Sequence, residues 1–514
     1  MNTSNTFHAI NPANNEQLES KFTNATLEEV NKAVQKATTA FDIYRKKDQI
    51  SIAAFLDQIA DEILNLGDAL IERCNLETGL PVARLQGERG RTMSQLKLFA
   101  TVVREGSWVD ARIDTAIPDR TPLPKSDIRH ILIPLGPVAI FGASNFPLAF
   151  STAGGDTASA LAAGCPVVVK GHEAHPKTSE MVAEAISKAI KICGMPEGTF
   201  SLVQGNSRTV GEALVKHPGI KAVGFTGSHA GGKALFDYAN ARPEPIPVFA
   251  EMGSTNPVFI LPGILEERGE EIATGMAGAI TMCVGQFCTN PGLSFVQKSE
   301  GATKFYNQLK HKISEVPAGV MLTPNIKKAY DKGIQKILDI HQVEEFAVGF
   351  EENSPNSATP RIFKTSMENF IKNNSLSTEN FGPSSVLVEA QSKEAILEAA
   401  RNLEGHLTAT VFGTPKDFAE YNELFDILEL KVGRVLINGY PTGVEVCHSM
   451  VHGGPYPATT APQSTSVGTG AIKRFVRPVC FQDYPNELLP EALKNENIGN
   501  IWRLINGDFT KSKL

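Results

Sequence analysis

Residues 138–147 read VAIFGASNFP, which is a short apolar run followed by a glycine and a polar turn. Similar runs recur through residues 136–261, separated by segments in which apolar residues repeat at helical spacing. This alternation is typical of a parallel β-sheet with helices on its faces, and it predicts strands that are buried on both sides. The candidate strands are 138–141, 167–169, 200–203, 222–225, 248–250 and 258–261.

A second, looser series of the same kind occupies residues 264–438. Upstream of both series, Thr26 and Glu29 are spaced as a helix-capping box and are followed by apolar residues at helical spacing. We therefore predict an α/β protein in which two Rossmann-like domains share one cleft. The candidate strands of the second series are 386–388, 407–412 and 435–437.

Residues 107–133 break the helical pattern with alternating polar and apolar residues and several prolines, which predicts an extended hairpin. Residues 475–480 predict one more strand. A monomer would leave the edges of these strands exposed, so we expect a homo-oligomer, either a dimer or a tetramer. The predicted division is a cofactor-binding domain at 1–106 and 134–251, a catalytic domain at 252–446, bridging strands at 107–133 and 474–482, and a C-terminal tail at 483–514.

Charge and composition argue against several classes of protein. The 514 residues include 49 basic and 56 acidic side chains, a formal net charge of -7, without a long block of like charge that would bind nucleic acid or a membrane surface. The polar start MNTSNTF has no signal-peptide pattern, and no apolar run reaches the roughly 18 residues of a membrane span. Seven scattered cysteines without CxxC spacing fit a reducing compartment. We expect a cytoplasmic protein that acts on a small molecule.

Three polar residues follow or interrupt these elements in a way that suits catalysis. Cys288 lies in the irregular segment Gly285-Gln-Phe-Cys-Thr289, which would present a thiol for nucleophilic attack. Glu251 directly follows a strand, where burial would raise its pKa towards that of a general base working near neutral pH. Asn145 follows an earlier strand, and its amide would stabilise an oxyanion. Singly, each has a plainer interpretation: a core cysteine, a solvent-facing acid and a turn-forming asparagine.

A glycine-rich turn joins a candidate strand to a candidate helix at Gly224-Phe-Thr-Gly-Ser228 and Gly231-Gly232. Free backbone N–H groups at such a helix start suit a pyrophosphate. The turn is not a Walker A loop, because Ala234 stands where a magnesium-binding Ser or Thr is needed, and the chain has no GxGxxG dinucleotide motif.

Two pairs of histidines have the spacing of metal ligands: His172 with His175, and His448 with His452. No carboxylate or cysteine cluster accompanies either pair in the sequence. We therefore expect no metal site.

Six motifs stand in the order and approximate spacing of the aldehyde dehydrogenase superfamily, which the chain resembles over nearly its whole length. The resemblance implies NAD(P)-dependent oxidation of an aldehyde to a carboxylate. It also implies that Cys288 is the nucleophile, that Glu251 activates the thiol or the hydrolytic water, and that Asn145 and the backbone N–H of Cys288 bind the oxyanion. The motifs are Asn145-Phe-Pro147, Lys170, Gly224-Phe-Thr-Gly-Ser228, Glu251-Met-Gly253, Gly285-Gln-Phe-Cys288 and Glu379-Asn-Phe-Gly-Pro383.

The same resemblance implies the contacts of the nicotinamide cofactor. By this resemblance Lys170 holds the adenosine ribose. Gly227, Ser228 and Gly232 of the glycine-rich turn hold the pyrophosphate. Glu379 and Phe381 position the nicotinamide ribose and ring.

Two positions bear on cofactor choice and on the base. Glu173 can accept hydrogen bonds from both ribose hydroxyls but repels a 2′-phosphate, so we expect NAD to be favoured over NADP, with Arg208 stacking on the adenine. The usual Glu-Leu-Gly-Gly of the superfamily is Glu251-Met-Gly-Ser254 here, which keeps the base but alters its turn.

Within the superfamily, the segments 170–176, 446–455 and 477–503 are most similar to those of the α-ketoglutaric semialdehyde (2,5-dioxovalerate) dehydrogenases, with the long-chain fatty aldehyde dehydrogenases as the alternative. The first assignment implies 2,5-dioxovalerate as substrate and 2-oxoglutarate as product. The distal carboxylate of 2,5-dioxovalerate needs a cation or several hydrogen-bond donors to bind it, and Arg91, Arg104 and His448 are candidates. A fatty aldehyde would need an apolar funnel.

Two other classes of function use the same residues. A cysteine esterase or acyltransferase would use Cys288 and Glu251 without a nicotinamide, but it would leave Lys170, the glycine-rich turn and Glu379 without a purpose. A non-catalytic scaffold would show degeneration at Cys288 or Glu251, and both are intact.

Overall fold

The computed structural model describes residues 5–352 and 354–514; residues 1–4, the first of the polar start, and Asn353 lie outside the described residues. The helices are α1 Leu27–Tyr44, α2 Gln49–Asn65, α3 Gly67–Thr78, α4 Val82–Glu105, α5 Gly155–Ala162, α6 Pro176–Ile192, α7 Arg208–Lys216, α8 His229–Asn240, α9 Pro262–Thr281, α10 Glu300–Ser314, α11 Pro324–Leu338, α12 Met367–Lys372, α13 Lys393–Asn402, α14 Pro415–Glu420 and α15 Asn422–Leu428. The strands are β1 Thr6–Ile10, β2 Gln17–Thr23, β3 Arg112–Asp114, β4 Ile128–Pro134, β5 Val138–Phe141, β6 Val167–Lys170, β7 Phe200–Val203, β8 Ala222–Thr226, β9 Val248–Glu251, β10 Val258–Ile260, β11 Leu293–Gln297, β12 Gly319–Val320, β13 Glu344–Val348, β14 Ser357–Ala358, β15 Arg361–Ser366, β16 Ser384–Ala390, β17 His406–Phe412, β18 Val432–Ile437, β19 Val476–Gln482, β20 Arg503–Ile505 and β21 Asp508–Thr510.

Helix α1 begins with the predicted capping box. The Thr26 hydroxyl accepts from the N–H of Glu29 at 3.1 Å, and the Glu29 carboxylate accepts from the N–H of Thr26 at 2.8 Å. Its buried residues, including Val30 and Val34, pack against the first sheet. Over residues 5–352 and 354–514, no helix is both long and apolar enough to cross a membrane.

The first sheet contains five parallel strands in the order β7-β6-β5-β8-β9. Alternate residues of a strand point to opposite faces, and each face is covered by helices. Val138 and Ile140 pack among residues of α2 to α6, whereas Ala139 and Phe141 pack among residues of α1, α7 and α8. The chain order reverses between β5 and β8, and this is the point at which open α/β sheets bind their ligands.

The second sheet has seven strands in the order β13-β15-β16-β11-β10-β17-β18, and all neighbours are parallel except β13 with β15. The prediction that the run 258–261 closes the first series is wrong, because β10 pairs with β11 and β17. An apolar run predicts a strand but not its partners. The chain leaves the first sheet after Glu251 and turns at Asn256, whose φ is 48°.

The predicted hairpin at 107–133 contains β3 and β4, which pair antiparallel, and β19 pairs with β4 along its whole length. The expectation that the outer edge of β3 is exposed is wrong, because β20 from the C-terminal tail pairs with it and gives the order β19-β4-β3-β20-β21. The tail is anchored by Arg503, whose buried guanidinium donates to the carbonyl oxygens of Lys494 at 2.5 Å and Ser512 at 2.8 Å.

An N-terminal hairpin of β1 and β2 is absent from the sequence prediction. Its strands pair antiparallel, and the rings of Phe7 and Phe22 lie 5.5 Å apart on one face. Phe7, His8 and Ile10 lie at the cleft described below. The hairpin therefore extends the binding surface beyond the first sheet.

Candidate active site

A cleft of about 970 Å³ opens at the carboxyl ends of β5, β6, β8 and β9, next to the reversal of strand order. Loops that follow these strands form one wall, and segments 322–330 and 379–381 form the other. Cys288 and Glu251 both line the cleft, so the two sheets contribute to one site, as the sequence predicts. Asn145, Lys170, Glu173, Gly227, Ser228, Glu379 and Phe381 line it as well.

The nucleophile loop is brought into the cleft by a strained turn. Val284 and Gly285 have φ values of 59° and 62°, and a left-handed backbone is costly for a β-branched residue. Gly285 leaves no room for a side chain, because a Cβ would lie 2.3 Å from the carbonyl oxygen of Gly382. Asn256 Nδ2 donates to the carbonyl oxygen of Cys288 at 2.9 Å. The cysteine is thus held from both sides.

Three titratable side chains meet at this loop. His452 Nε2 lies 2.9 Å from Glu251 Oε1 and 3.5 Å from Cys288 Sγ. Ser466 Oγ donates to the other carboxylate oxygen, Oε2, at 2.6 Å. Glu251 and His452 are only 3% and 1% exposed, so their interaction is little screened by water. The cluster therefore places the thiol beside a carboxylate that can take its proton.

The charges of this cluster follow from its burial and its contacts. Burial raises the pKa of the Cys288 thiol well above its usual range, and the negative charge of Glu251 raises it further. Burial acts in the same direction on Glu251, but the charge of His452 and hydrogen bonds from His452, Ser466 and Cys288 outweigh it and lower its pKa. The expectation of a raised pKa at Glu251 is therefore wrong. The resting site holds a thiol beside a carboxylate.

His452 is missing from the predicted site, where it appears only as a metal-spaced partner of His448. In the fold the two separate, since His448 is exposed and its Nδ1 lies 3.3 Å from Thr469 Oγ1. The expectation that no carboxylate or cysteine accompanies His452 is wrong, because ligand atoms of Glu251, Cys288 and His452 lie within 4.8 Å of one another in a group able to hold a metal ion. The sequence indicates a role for His452 only through its position in the segment 446–455, one of the segments that carry the resemblance.

The second pair of histidines has other partners. The rings of His172 and His175 stack with centroids 5.2 Å apart. The two nitrogens of His175 lie 3.2 Å from Ser179 Oγ and from the carbonyl oxygen of Ala143. Burial lowers the pKa of both rings, so they are neutral groups; His172 lines the cleft, and His175 packs behind it.

Asn145 is buried beside the nucleophile loop. One N–H of its side-chain amide donates to the carbonyl oxygen of Gln286 at 2.9 Å, which leaves the second N–H. The backbone N–H of Cys288 has no acceptor among the described residues apart from its own sulfur. Two N–H donors next to a nucleophile are what an oxyanion hole requires.

Lys170 and Glu173 lie at the far end of the cleft. Lys170 Nζ is 3.7 Å from Glu173 Oε2, and the Glu173 side chain is half-exposed. Burial lowers the pKa of Lys170, and the charge of Glu173 acts against this change. The pair therefore offers one cation and one carboxylate to whatever occupies this end.

The glycine-rich turn after β8 differs from the prediction in detail. Ser228 caps α8, and its Oγ accepts from the N–H of Gly231 at 3.2 Å. The N–H of Gly227 donates to the carbonyl oxygen of Glu251 at 3.1 Å, so it is not free for a pyrophosphate. Gly232 does not line the cleft but packs on Met252, whose Cγ would lie 2.7 Å from an added Cβ. In the first turn of α8 the N–H of Gly231 is occupied by this cap, which leaves those of His229 and Ala230 as donors.

Arg208 is not among the residues that line the cleft. It is the first residue of α7 and is exposed, whereas Asn206 two positions earlier lines the cleft. The stacking of Arg208 on the adenine stays a prediction.

Glu379 and Phe381 lie where the second wall meets the nucleophile loop. Burial raises the pKa of Glu379 to about 7, against the effect of a backbone hydrogen bond from Ser254. Gly253 makes this approach possible, because a Cβ there would lie 2.3 Å from Glu379 Oε2. Ser254, the departure from the usual glycine, accepts from the N–H of Leu407 at 3.0 Å and so ties the base loop to β17.

Comparison with known proteins decides the family. The model of the aldehyde dehydrogenase family matches residues 1–456. The chain belongs to the aldehyde dehydrogenase family. Alpha-ketoglutaric semialdehyde dehydrogenase 2 of Azospirillum brasilense is 51% identical over 503 residues, 98% of this chain and 96% of the relative. The alpha-ketoglutaric semialdehyde dehydrogenase of Acinetobacter baylyi is 47% identical over 508 residues, 99% and 96% of the two chains.

A solved structure supports the fold of this aldehyde dehydrogenase. Betaine aldehyde dehydrogenase from Staphylococcus aureus, in complex with NAD+, superimposes with a TM-score of 0.79 at 20% identity and covers 94% of this chain and 92% of that chain. The predicted fold class and family are confirmed, and with them the prediction of an enzyme that oxidises an aldehyde.

Two of the three cations proposed for the substrate have exposed side chains in this aldehyde dehydrogenase. Arg104 lies near the end of α4 and pairs with Asp57. His448 is exposed as well, and none of the three cations, Arg91 included, lines the cleft. Helical spacing cannot say which residues of a long helix approach a distant cysteine.

Arg91, on the same helix, is connected to the nucleophile loop by a series of aromatic contacts. Its guanidinium lies 5.4 Å from the ring centroid of Phe150. From there a wall of edge-to-face rings leads to the nucleophile loop, with centroids 5.3 Å apart for Phe150 and Phe146 and 5.4 Å apart for Phe146 and Phe287. Phe287 directly precedes Cys288.

Proposed function

We propose that this aldehyde dehydrogenase oxidises α-ketoglutaric semialdehyde (2,5-dioxovalerate) to 2-oxoglutarate with NAD or NADP, through a thioester on Cys288. The observation that carries the chemistry is the contact of Cys288 with His452 and Glu251 in a cleft shared by the two sheets. The substrate is supported by the names of relatives at 51% and 47% identity over nearly the whole chain. The reaction class is that of the family.

The cleft fits a dinucleotide in size and in donors. Its volume of about 970 Å³ lies in the upper range of ligand sites. We assign Lys170 and Glu173 to the adenosine ribose, the first-turn N–H groups of α8 to the pyrophosphate, and Glu379 with Phe381 to the nicotinamide ribose and ring. Lys170, Glu173 and the start of α8 fall in the predicted cofactor-binding domain, 1–106 and 134–251. Glu379 and Phe381 fall in the predicted catalytic domain, 252–446. The nicotinamide supplies the acceptor for the hydride.

Glu173 favours NAD over NADP. Its carboxylate can accept from the two ribose hydroxyls, whereas a 2′-phosphate would place further negative charge beside it. Lys170, 3.7 Å away, offsets part of this repulsion. We therefore expect NAD to be preferred but NADP still to be used.

Acylation begins with loss of the proton from Cys288 Sγ to the Glu251 carboxylate, which is held by His452. The sulfur then attacks the aldehyde carbon, and the negative charge that develops on the aldehyde oxygen is held by the free N–H of Asn145 Nδ2 and the backbone N–H of Cys288. Collapse of the tetrahedral adduct releases a hydride and leaves the thioester on Cys288.

Deacylation uses Glu251 again. The proton taken from Cys288 passes to solvent while the thioester stands, because the lowered pKa of Glu251 favours its loss, and the ionised Glu251 can then remove a proton from the attacking water. Ser466 Oγ donates to Glu251 Oε2 at 2.6 Å and so fixes the plane of the Glu251 carboxylate. Cleavage of the bond between carbon and sulfur then releases the carboxylate product and restores the thiol.

Two finer proposals concern the whole protein. We propose a homo-oligomer, dimer or tetramer, in which the free edge of β19 or β21 pairs with a neighbouring copy, since an open edge is otherwise prone to unspecific pairing. A cytoplasmic location is supported by seven cysteines that are all free. Light scattering at micromolar concentration tests the first proposal, and a monomeric mass would contradict it.

The test is formation of reduced cofactor with NAD or NADP and α-ketoglutaric semialdehyde, for the wild type and Cys288→Ala. Cys447→Ala, which removes another half-buried free cysteine, is the matched control and should keep activity. Cofactor reduction that survives in Cys288→Ala would refute the thioester route. Preference for decanal would favour a fatty aldehyde dehydrogenase, and ester turnover that needs no cofactor would favour an esterase.

A further inference from the structure

Arg91 presents a pair of donors that have no partner in the protein. Its Nη1 donates to the carbonyl oxygen of Val444 at 2.6 Å, and this bond fixes the plane of the guanidinium. Its Nε and Nη2 are buried and form no hydrogen bond among the described residues. These two N–H groups point along the same edge, which is the edge that receives both oxygens of a carboxylate. Buried unpartnered donors on a charged group require an explanation.

Arg91 is electrostatically coupled to the nucleophile. Burial lowers the pKa of Arg91, and the strongest influence in the opposite direction is the Cys288 sulfur, ahead of Glu88 and Glu445. None of these carboxylates pairs with Arg91 within ion-pair distance in the described residues. Glu88 is instead occupied by the backbone N–H groups of residues 148 and 149.

A second cation faces the same sulfur. Arg434 Nη1 donates to the carbonyl oxygen of Gly443 at 2.8 Å and Nη2 to that of Pro441 at 2.9 Å, while its Nε is buried without a partner. Burial lowers its pKa as well, and Cys288 is the influence that opposes burial. Both arginines are thus held by backbone carbonyls and keep donors free beside the nucleophile.

We infer that the Nε and Nη2 edge of Arg91 binds the carboxylate at the far end of the aldehyde substrate and thereby sets the preference for carboxylated aldehydes. The inference rests on the proposed function and names the residue that selects its substrate class. The wall of Phe150, Phe146 and Phe287 lies between Arg91 and Cys288 and packs on the carbon chain that joins the two ends. Arg434 adds positive charge to the same pocket.

A neutral aldehyde binds less well for the same reason. It leaves the buried Nε and Nη2 donors unpaired, as they are in the free protein, whereas a carboxylate supplies two oxygens to them. An apolar funnel for a long alkyl chain would not contain such an edge. The placement of Arg91 therefore favours a short carboxylated substrate over a fatty aldehyde.

The experiment compares three aldehydes of similar length: α-ketoglutaric semialdehyde, 5-oxopentanoate and pentanal, which lacks the carboxylate. Arg91→Met should lower kcat/KM for the two carboxylated substrates by a factor on the order of a hundred to a thousand and leave pentanal within a few-fold. Arg91→Lys, which keeps the charge but loses the two-donor edge, should lose about tenfold on the carboxylated substrates only. Arg104→Met, on the same helix and paired with Asp57, is the matched control and should behave as the wild type.

Each outcome separates this inference from the proposed function. Wild-type enzyme without activity on any of the three aldehydes would refute the proposed function itself. Wild-type activity with equal losses on pentanal and 5-oxopentanoate in Arg91→Lys would show a structural role for Arg91 and overturn the inference, as would unchanged selectivity in Arg91→Met. If Arg91→Met fails to fold, the ratio of the two rates in Arg91→Lys decides.

Discussion

Replacing His452 by glutamine tests whether the imidazole keeps Glu251 ionised. Glu251 is 3% exposed, and its oxygens face His452 Nε2 at 2.9 Å and Ser466 Oγ at 2.6 Å. A glutamine can still donate a neutral N–H but carries no charge. Burial would then dominate, so we expect the pKa of Glu251 to rise in the variant.

The size of the effect follows from the bond that is exchanged. A hydrogen bond to a charged donor contributes about 1.5–3 kcal/mol and a neutral one about 0.5–1.5 kcal/mol, so the exchange removes roughly 1–2 kcal/mol from the ionised form. One pKa unit corresponds to about 1.4 kcal/mol. A base with a higher pKa is ionised only at higher pH, so the acidic limb of kcat/KM should move by about one pH unit to the alkaline side.

The assay is the initial rate of cofactor reduction from about pH 5 to pH 9 at low substrate concentration. His448→Gln is the matched control, because His448 lies on the same loop but is exposed and bonded to Thr469. It should reproduce the wild-type profile. An acidic limb that stays in place in His452→Gln, or moves to lower pH, would refute the reasoning, because Glu251 would then be ionised without His452.

Three further predictions concern the same cleft. Zn²⁺ should inhibit the wild type by binding Glu251, Cys288 and His452, whose ligand atoms lie within 4.8 Å of one another. His452→Gln should raise the inhibitory concentration of Zn²⁺ at least about tenfold. Equal inhibition of the wild type and the variant would place the metal elsewhere. Glu173→Ser should raise kcat/KM with NADP relative to NAD by about ten- to a hundredfold, and an unchanged ratio would contradict the role of this carboxylate. Glu379→Gln should stabilise the fold near pH 8 but not near pH 5. The folded pKa of about 7 lies above the ordinary 4.5, so ionisation costs stability as pH rises through that window, by about 1–2 kcal/mol after solvent screening; equal thermal shifts at both pH values would count against this.

The strands of the first sheet are predictable from the sequence because burial on both faces leaves a continuous apolar run. β5, β6, β7 and β8 begin where the pattern predicts them. Partners are not encoded in such a run, which is why 258–261 is a strand as predicted but belongs to the other sheet. The pairing of β20 with β3 joins residues almost four hundred positions apart, and a local pattern carries no information on it.

The site is predictable where its residues follow strands. Asn145 lies in the turn after β5 and Glu251 is the last residue of β9, and the carboxyl ends of parallel strands meet at one edge of a sheet. His452 and Arg91 come from a loop and from the middle of α4, where nothing local indicates which neighbours they reach. The pKa of Glu251 is wrongly predicted for the same reason, since burial can be read from the strand but the charge of His452 cannot.

The distribution of charge gives the two arginines beside Cys288 different tasks. The resting site keeps its negative charge on Glu251 and a proton on the sulfur, because the pKa of the thiol is raised and that of the carboxyl is lowered. Loss of the proton moves negative charge to the sulfur, and Arg91 and Arg434 both favour that form. A substrate carboxylate bound to Arg91 cancels much of the charge that Arg91 offers to the sulfur. Arg434 then remains to balance the thiolate, so its loss should slow carboxylated and neutral aldehydes alike, whereas loss of Arg91 should slow neutral aldehydes only a few-fold, through the thiolate, and carboxylated aldehydes far more.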